Sequence, residues 1–77
     1  LREQGPSAPA FHLLGMIRAA AGNVADAAQC FRKALYLDPR HREALAHLAP
    51  LLDKQGDTGG ARALRERLQR LPRETVK

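Results

Sequence analysis

The stretch FHLLGMIRAAAGNVADAAQCF, residues 11–31, decides the fold. On each side of Gly22-Asn23, apolar residues recur at three- and four-residue steps, which is typical of amphipathic helices. Glycine favours the end of a helix and asparagine favours the start of one, so this pair predicts a tight turn between two helices. Gly15 interrupts the first apolar stripe at a cost of about 1 kcal/mol relative to alanine. We expect packing against a neighbouring helix to offset that cost.

Similar turn signals predict four helices in the 77 residues, and no strand, because no stretch alternates between apolar and polar residues. Asn23 is predicted to cap the second helix, and Asp57 or Thr58 the fourth. The short loops make neighbouring helices antiparallel. The predicted helices cover about 8–21, about 23–37, about 41–55 and about 58–71.

The second half of the chain repeats the first half at a spacing of 34 residues, so that Gly15 aligns with Ala49 and Ala27 with Ala61. A unit of two helices with this period resembles the tetratricopeptide repeat. In the first unit, the residues that stand at the spacing of the family motif are Phe11, Leu14, Gly15, Ala27, Phe31 and Pro39.

This resemblance implies an all-α fold, a tetratricopeptide-repeat α-solenoid of two antiparallel helix hairpins (four helices) plus the remnant of a preceding repeat. Residues 1–7 are expected to be the tail of that preceding repeat, and residues 8–41 the first complete repeat. Residues 42–71 are expected to be a degenerate second repeat whose first helix is kinked at Pro50, and residues 72–77 a disordered C-terminal tail.

The chain departs from the family pattern at two arginines. Arg18 stands where the family prefers tyrosine, and Arg65 replaces the aromatic residue of the first repeat. Small residues such as Gly15 and Ala27 are expected to let the helices of one repeat approach closely. The residues assigned to repeat packing are Phe11, Leu14, Gly15, Ala27, Phe31, Ala34, Leu45, Leu48, Ala49, Ala61 and Leu68.

No catalytic residue, no cofactor-binding residue and no metal ligand is expected in this chain. Cys30 is the only cysteine, which excludes an internal disulfide and is too little for a zinc site. His12, His41 and His47 share no helix face at a three- or four-residue step, so they are not spaced as metal ligands. We assign His12 and His47 to a groove or to the surface.

In the tetratricopeptide family, the first helix of each repeat lines a concave groove that holds a protein or peptide partner. Some members grip carboxylates there with Lys, Asn and Arg, but the equivalent positions here carry His12, Met16, Ala46 and Pro50. The groove is therefore expected to suit an apolar segment or another domain of the parent chain. The groove residues implied by the resemblance are Pro9, His12, Met16, Ala19, Ala20, Glu43, Ala46, Pro50, Asp53 and Lys54.

The stretch FRKALYLDPRHREALAHLAPLLDKQGD, residues 31–57, is similar to the repeats appended to CheR-type chemoreceptor methyltransferases, including those of surface-sensing and biofilm pathways. This resemblance implies a parent enzyme that methylates receptor glutamates with S-adenosylmethionine. The chain itself is then no enzyme. It is expected to be a protein-interaction module in chemotaxis-type signal transduction, docking the enzyme on a chemoreceptor or on a partner protein.

Two other functions stay open. The first is a stand-alone adaptor in secretion or assembly. The second is nucleic-acid binding through the arginine-rich last helix, since the net charge is +5, although a basic patch without a reading motif favours it weakly. No apolar run reaches the length of a membrane span, so we expect a cytoplasmic protein without membrane insertion. Self-association through an unburied apolar flank at the N-terminal end is also expected.

Overall fold

The computed structural model describes residues 7–72, and within them it contains four α-helices and no strand. The all-α prediction is confirmed, and the helix ends lie within about one residue of those predicted. The expected preceding-repeat tail in residues 1–7 and the expected disordered tail in residues 72–77 lie, except for Ser7 and Pro72, outside the described range. The helices are α1 (Ala8–Ala20), α2 (Val24–Leu37), α3 (Arg42–Lys54) and α4 (Thr58–Arg70).

The helices stack in the order of the sequence. In the described residues, α1 packs on α2, α2 on α3 and α3 on α4, and no comparable contact joins α4 to α1. The arrangement is therefore an open row of two hairpins, as expected of a helical repeat, and not a closed bundle.

Both hairpins turn in the same way. Gly22 and Gly56 each adopt φ +87°, a left-handed conformation that side chains rarely tolerate. The backbone N–H of the residue that follows each glycine donates to the carbonyl five residues earlier, at 2.9 Å for Asn23 and 2.8 Å for Asp57. This bond satisfies a carbonyl at the helix end and reverses the chain. The helix ends predicted at these glycines are confirmed.

The predicted caps behave differently from each other. Asp57 caps α4, because its carboxylate accepts from the N–H of Gly60 at 2.9 Å. Asn23 stands at the N-cap position of α2, as predicted, but its side chain makes no capping hydrogen bond. The prediction that its side chain caps α2 is therefore wrong. The backbone dihedral angles of the two residues are nearly alike, so the backbone conformation does not explain the difference. The first turn of α2 carries Asp26 instead, which complements the helix dipole.

The core lies between the helices and follows the predicted apolar stripes of α2, α3 and α4, whereas in α1 the stripe is only partly buried and Ile17 is 55% exposed. Most residues assigned to repeat packing are buried, among them Ala27, Ala34, Leu45, Leu48, Ala49 and Ala61, whereas Phe11, Leu14 and Leu68 are half-buried. The helix α3 continues through Pro50 for another turn, so this proline does not end it. The kink expected there stays a prediction.

Gly15 lies directly against the ring of Phe31, which is 1% exposed. A Cβ atom added at Gly15 would lie 2.7 Å from Cε1 of Phe31, closer than real Cβ atoms approach any neighbour. The glycine therefore lets α1 come close enough to α2 for the ring to fill the space between them. This packing accounts for a glycine inside the apolar stripe of α1.

Gly15→Leu is expected to lower the free energy of unfolding by about 1–3 kcal/mol, because its side chain must displace the Phe31 ring in a filled core. The measurement is urea or thermal unfolding followed by circular dichroism.

Gly59→Ala is the matched control, since Gly59 is also helical but nothing lies within 4 Å of an added Cβ atom. We expect no loss of stability from it. If Gly15→Leu unfolded at the same midpoint as the parent chain, the packing role of Gly15 would be contradicted.

Candidate binding groove

The first helices of the two hairpins, α1 and α3, enclose a cavity of about 240 Å³ with an apolar lining. Four of the predicted groove residues meet in this cavity. Met16 and Ala19 come from α1, and Pro50 and Lys54 come from α3. The ammonium of Lys54 is the charged group of the lining, so the cavity suits an apolar side chain with an anionic neighbour. We call this cavity the α1–α3 groove.

The other predicted groove residues lie outside this cavity. Pro9, Ala20 and Ala46 are exposed on α1 and α3 and do not line it. The carboxylate of Asp53 binds the Arg65 guanidinium of α4, with 2.6 Å between oxygen and nitrogen. Glu43 lies at the other end of α3, where its carboxylate is 3.9 Å from Nδ1 of His41.

Three further residues line the groove. His47 of α3 was assigned to a groove or to the surface, whereas Phe31 of α2 and Leu51 of α3 were not assigned to the groove. His47 and Leu51 directly follow the predicted groove residues Ala46 and Pro50 in the sequence. Phe31 was assigned to packing. Its ring packs in the core and also lines the groove, because one face of a buried ring can form the floor of a cavity.

The three histidines come together at the seam between the hairpins, on the side of the groove nearer the start of α3. The ring centroid of His12 lies 5.0 Å from that of His41 and 5.1 Å from that of His47. His47 also stacks on Phe31, with 5.7 Å between centroids. Sequence spacing gave no sign of this cluster, because His12 belongs to a different hairpin and the rings meet only after the hairpins stack.

Two hydrogen bonds of the cluster depend on neutral imidazoles. Nε2 of His12 and Nδ1 of His47 are 3.0 Å apart, so one of them donates and the other must accept. Nδ1 of His41 accepts from the N–H of Ala44 at 3.1 Å and thereby caps α3. A protonated imidazole has no acceptor nitrogen, so protonation of both partners would break the first bond, and protonation of His41 would break the second.

The environment of His12 lowers its pKa below the ordinary value of 6.5. Partial burial is the largest cause, since it removes water that would solvate the charged ring. Nearby positive charge on His41 and His47 lowers the pKa further, and Glu43 opposes this effect. The neutral form of His12 is therefore favoured in the folded chain.

The rings of His12 and His47 are stacked, with 27° between their planes, and the ring of His41 is tilted by 40° to that of His12. Among residues 7–72, no group of three His, Cys, Asp or Glu side chains is placed to hold a metal ion.

Two arginines of α4 take part in contacts within the fold. Arg65 pairs with Asp53, and the guanidinium of Arg67 donates to the carbonyl of Pro39 at 2.9 Å. On α3, Arg42 donates to the carbonyl of Pro72. The Arg67 contact joins the second hairpin to the turn between α2 and α3, and the other two contacts lie within the second hairpin and at its end. Part of the basic charge is therefore engaged within the fold.

A second cavity, of about 490 Å³, lies on another side of the molecule between α2, α3 and α4. Leu52 is part of its floor, and Arg32 and Arg67 are part of its edge. Tyr36, 86% exposed, also lines it. Sequence reasoning did not identify this cavity, whose lining comes from both hairpins.

Residues 8–41 match the family model of the tetratricopeptide repeat. This match confirms the family resemblance inferred from the 34-residue period and makes residues 8–41 a tetratricopeptide repeat. In the described residues, the second hairpin stacks on this repeat in the same open row. No solved structure matches the chain. No helix in residues 7–72 has both the length and the apolar character needed to cross a bilayer.

The chain is similar over most of its length to proteins named probable biofilm formation methyltransferase WspC. The protein of Pseudomonas aeruginosa is 51% identical over 70 residues, which are 91% of this chain and 17% of the relative. The protein of Pseudomonas putida is 48% identical over 75 residues, which are 97% of this chain and 18% of the relative. The chain thus spans less than a fifth of the length of these relatives.

The stability of the chain is expected to fall as the pH drops below about 6.5, because the unfolded chain then binds a proton at His12 more readily than the folded chain does. Urea unfolding midpoints at about pH 7.5 and about pH 5.5 measure this effect. The loss ends once the pH lies below the lowered pKa of folded His12.

His12→Gln is the matched variant, since its amide keeps a hydrogen-bonding group but carries no charge at either pH. Its midpoint should fall less between the two pH values than that of the parent chain. An equal fall in both proteins would show that His12 does not cause the pH dependence.

Proposed function

We propose that this chain is the protein-interaction module of a methyltransferase and that its α1–α3 groove binds an apolar segment of the protein on which the enzyme acts. The observation that carries the proposal is the similarity of 51% over 91% of the chain to a probable biofilm formation methyltransferase. The groove supplies the physical basis, since Met16, Ala19 and Pro50 offer apolar surface between two helices held by the same core.

The methyl transfer itself is assigned to other parts of the parent protein. The matched segment is 17% and 18% of the two relatives, so most of their length is available for a catalytic domain. In this proposal, the chain is not an enzyme and binds no cofactor. The parent enzyme transfers the methyl group of S-adenosylmethionine to glutamates of a chemoreceptor in the cytoplasm.

The module then raises the concentration of the receptor near the catalytic domain. A tethered second contact converts an encounter in solution into one within a single complex, which lowers the receptor concentration that the enzyme needs. Such a contact acts on receptor binding and leaves the chemical step unchanged. This division between binding and chemistry gives the proposal a kinetic signature.

The other two functions have less support. The relatives named as methyltransferases favour an enzyme's appendage over a stand-alone adaptor. The hypothesis of nucleic-acid binding through α4 has less support because two of its arginines make contacts within the fold. The guanidinium of Arg65 pairs with Asp53, and that of Arg67 donates to the carbonyl of Pro39.

In the full methyltransferase, Met16→Asp is expected to raise the KM for the receptor by about tenfold, because it puts a charge into an apolar cavity that a partner must desolvate. The kcat and the affinity for S-adenosylmethionine should not change. The measurement is the transfer of labelled methyl groups to the purified cytoplasmic region of the chemoreceptor, over a range of receptor concentrations.

Tyr36→Asp is the matched variant, since Tyr36 is also an exposed apolar residue but lines the second cavity. Its KM should equal that of the parent enzyme. A raised KM for Tyr36→Asp with an unchanged KM for Met16→Asp would move the docking site to the second cavity. An unchanged KM for both variants would contradict docking on the receptor.

A further inference from the structure

One face of α1 leaves apolar side chains in contact with solvent. Leu13 is 60% exposed and Ile17 is 55% exposed, and Ala10 is exposed beside them. These residues follow one another at three- and four-residue steps, so they lie on one face of the helix. We call Ala10, Leu13 and Ile17 the α1 flank.

In the second hairpin, the corresponding face of α3 is covered by the hairpin that precedes it. The residues 34 positions after the α1 flank are Ala44, His47 and Leu51 of α3. Ala44 and Leu51 are buried, and the ring of His47 stacks on Phe31 of the preceding hairpin. The same helix face is thus covered in α3 and bare in α1, although its residues in α1 are at least as apolar.

The two helices also begin in the same way. Ser7 caps α1, with its Oγ accepting from the N–H of Ala10 at 3.2 Å, and His41 caps α3 by accepting from Ala44. Ser7 and His41 are 34 residues apart. The start of α1 is therefore built like a helix that follows the turn of an earlier hairpin.

The sequence before α1 agrees with this placement. In the 34-residue register, Leu1 aligns with Leu35 near the end of α2, and Gly5 aligns with Pro39 in the turn before α3. The relatives extend far beyond the matched segment, so their polypeptides have the length to supply another hairpin.

We propose that the α1 flank is covered by the second helix of another helical hairpin, which precedes residue 7 in the same polypeptide. This helix packs on Leu13 and Ile17 in the way that Phe31 of α2 packs on His47. Its own contact face is apolar, because the flank offers no charged group to pair with. The proposal does not depend on which partner the α1–α3 groove binds.

A second copy of the chain is the competing occupant, since the sequence also predicts self-association through this flank. The covering helix of the same polypeptide is favoured, because it repeats a contact that the chain already makes between its own hairpins. A hairpin from the same chain also pays no cost for bringing two molecules together.

Thiol labelling in the full polypeptide that carries these residues tests the proposal. In a Cys30→Ser background, Leu13→Cys, Ile17→Cys and Tyr36→Cys are made one at a time, and the rate of modification is compared with that of the same protein in urea. We expect the first two cysteines to be protected at least about tenfold more strongly than the third. Equal rates at all three positions would overturn the proposal, since Leu13, Ile17 and Tyr36 are all exposed without a cover.

Dilution and cross-linking separate the possible occupants. Protection that disappears on about tenfold dilution would show that a second copy covers the flank, and the proposal would be wrong. A photo-crosslinker at Leu13 should join to a residue of the same molecule on the N-terminal side of residue 7, as identified by mass spectrometry. A cross-link to any other region, or between molecules, would also overturn the proposal.

Discussion

The contact between the Phe31 ring and Gly15 is the interaction on which the rest of the structure depends. The ring is 1% exposed and fills the space that the missing side chain of Gly15 leaves between α1 and α2. On the side of α3 it stacks on His47, and it also forms part of the floor of the α1–α3 groove. One buried ring therefore closes the first hairpin, joins it to the second and shapes the surface where a partner is proposed to bind.

The second hairpin lacks this ring and is held differently. Arg65 replaces Phe31 and turns outward to Asp53, an ion pair between side chains that are about half exposed. Such pairs contribute at most about 1 kcal/mol, so this hairpin depends on the packing of its leucines. Ala49 replaces Gly15, in agreement with the absence of a ring that would need the space. These differences fit the match of the family model to residues 8–41.

The fold was predictable because its signals are local. The turns at Gly22 and Gly56 and the spacing of apolar residues determine four helices and their order. The groove was predictable in part, since the family register placed Met16 and Pro50 correctly. The histidine cluster was not predictable, because it forms where two hairpins meet and no spacing within one helix reveals it. The missing Asn23 cap shows a further limit: the sequence identified the residue at the N-cap position but not whether its side chain makes the capping hydrogen bond.

A double-mutant cycle of Gly15→Ala and Phe31→Leu, measured by urea unfolding, tests the central contact most directly. In the parent chain, Gly15→Ala should be destabilising, since its Cβ atom would lie 2.7 Å from the ring. In the Phe31→Leu background, the same substitution should be neutral or stabilising, because alanine favours a helix over glycine by about 1 kcal/mol. The coupling energy between the two positions is expected to be about 0.5–3 kcal/mol. Equal effects of Gly15→Ala in both backgrounds would contradict this coupling.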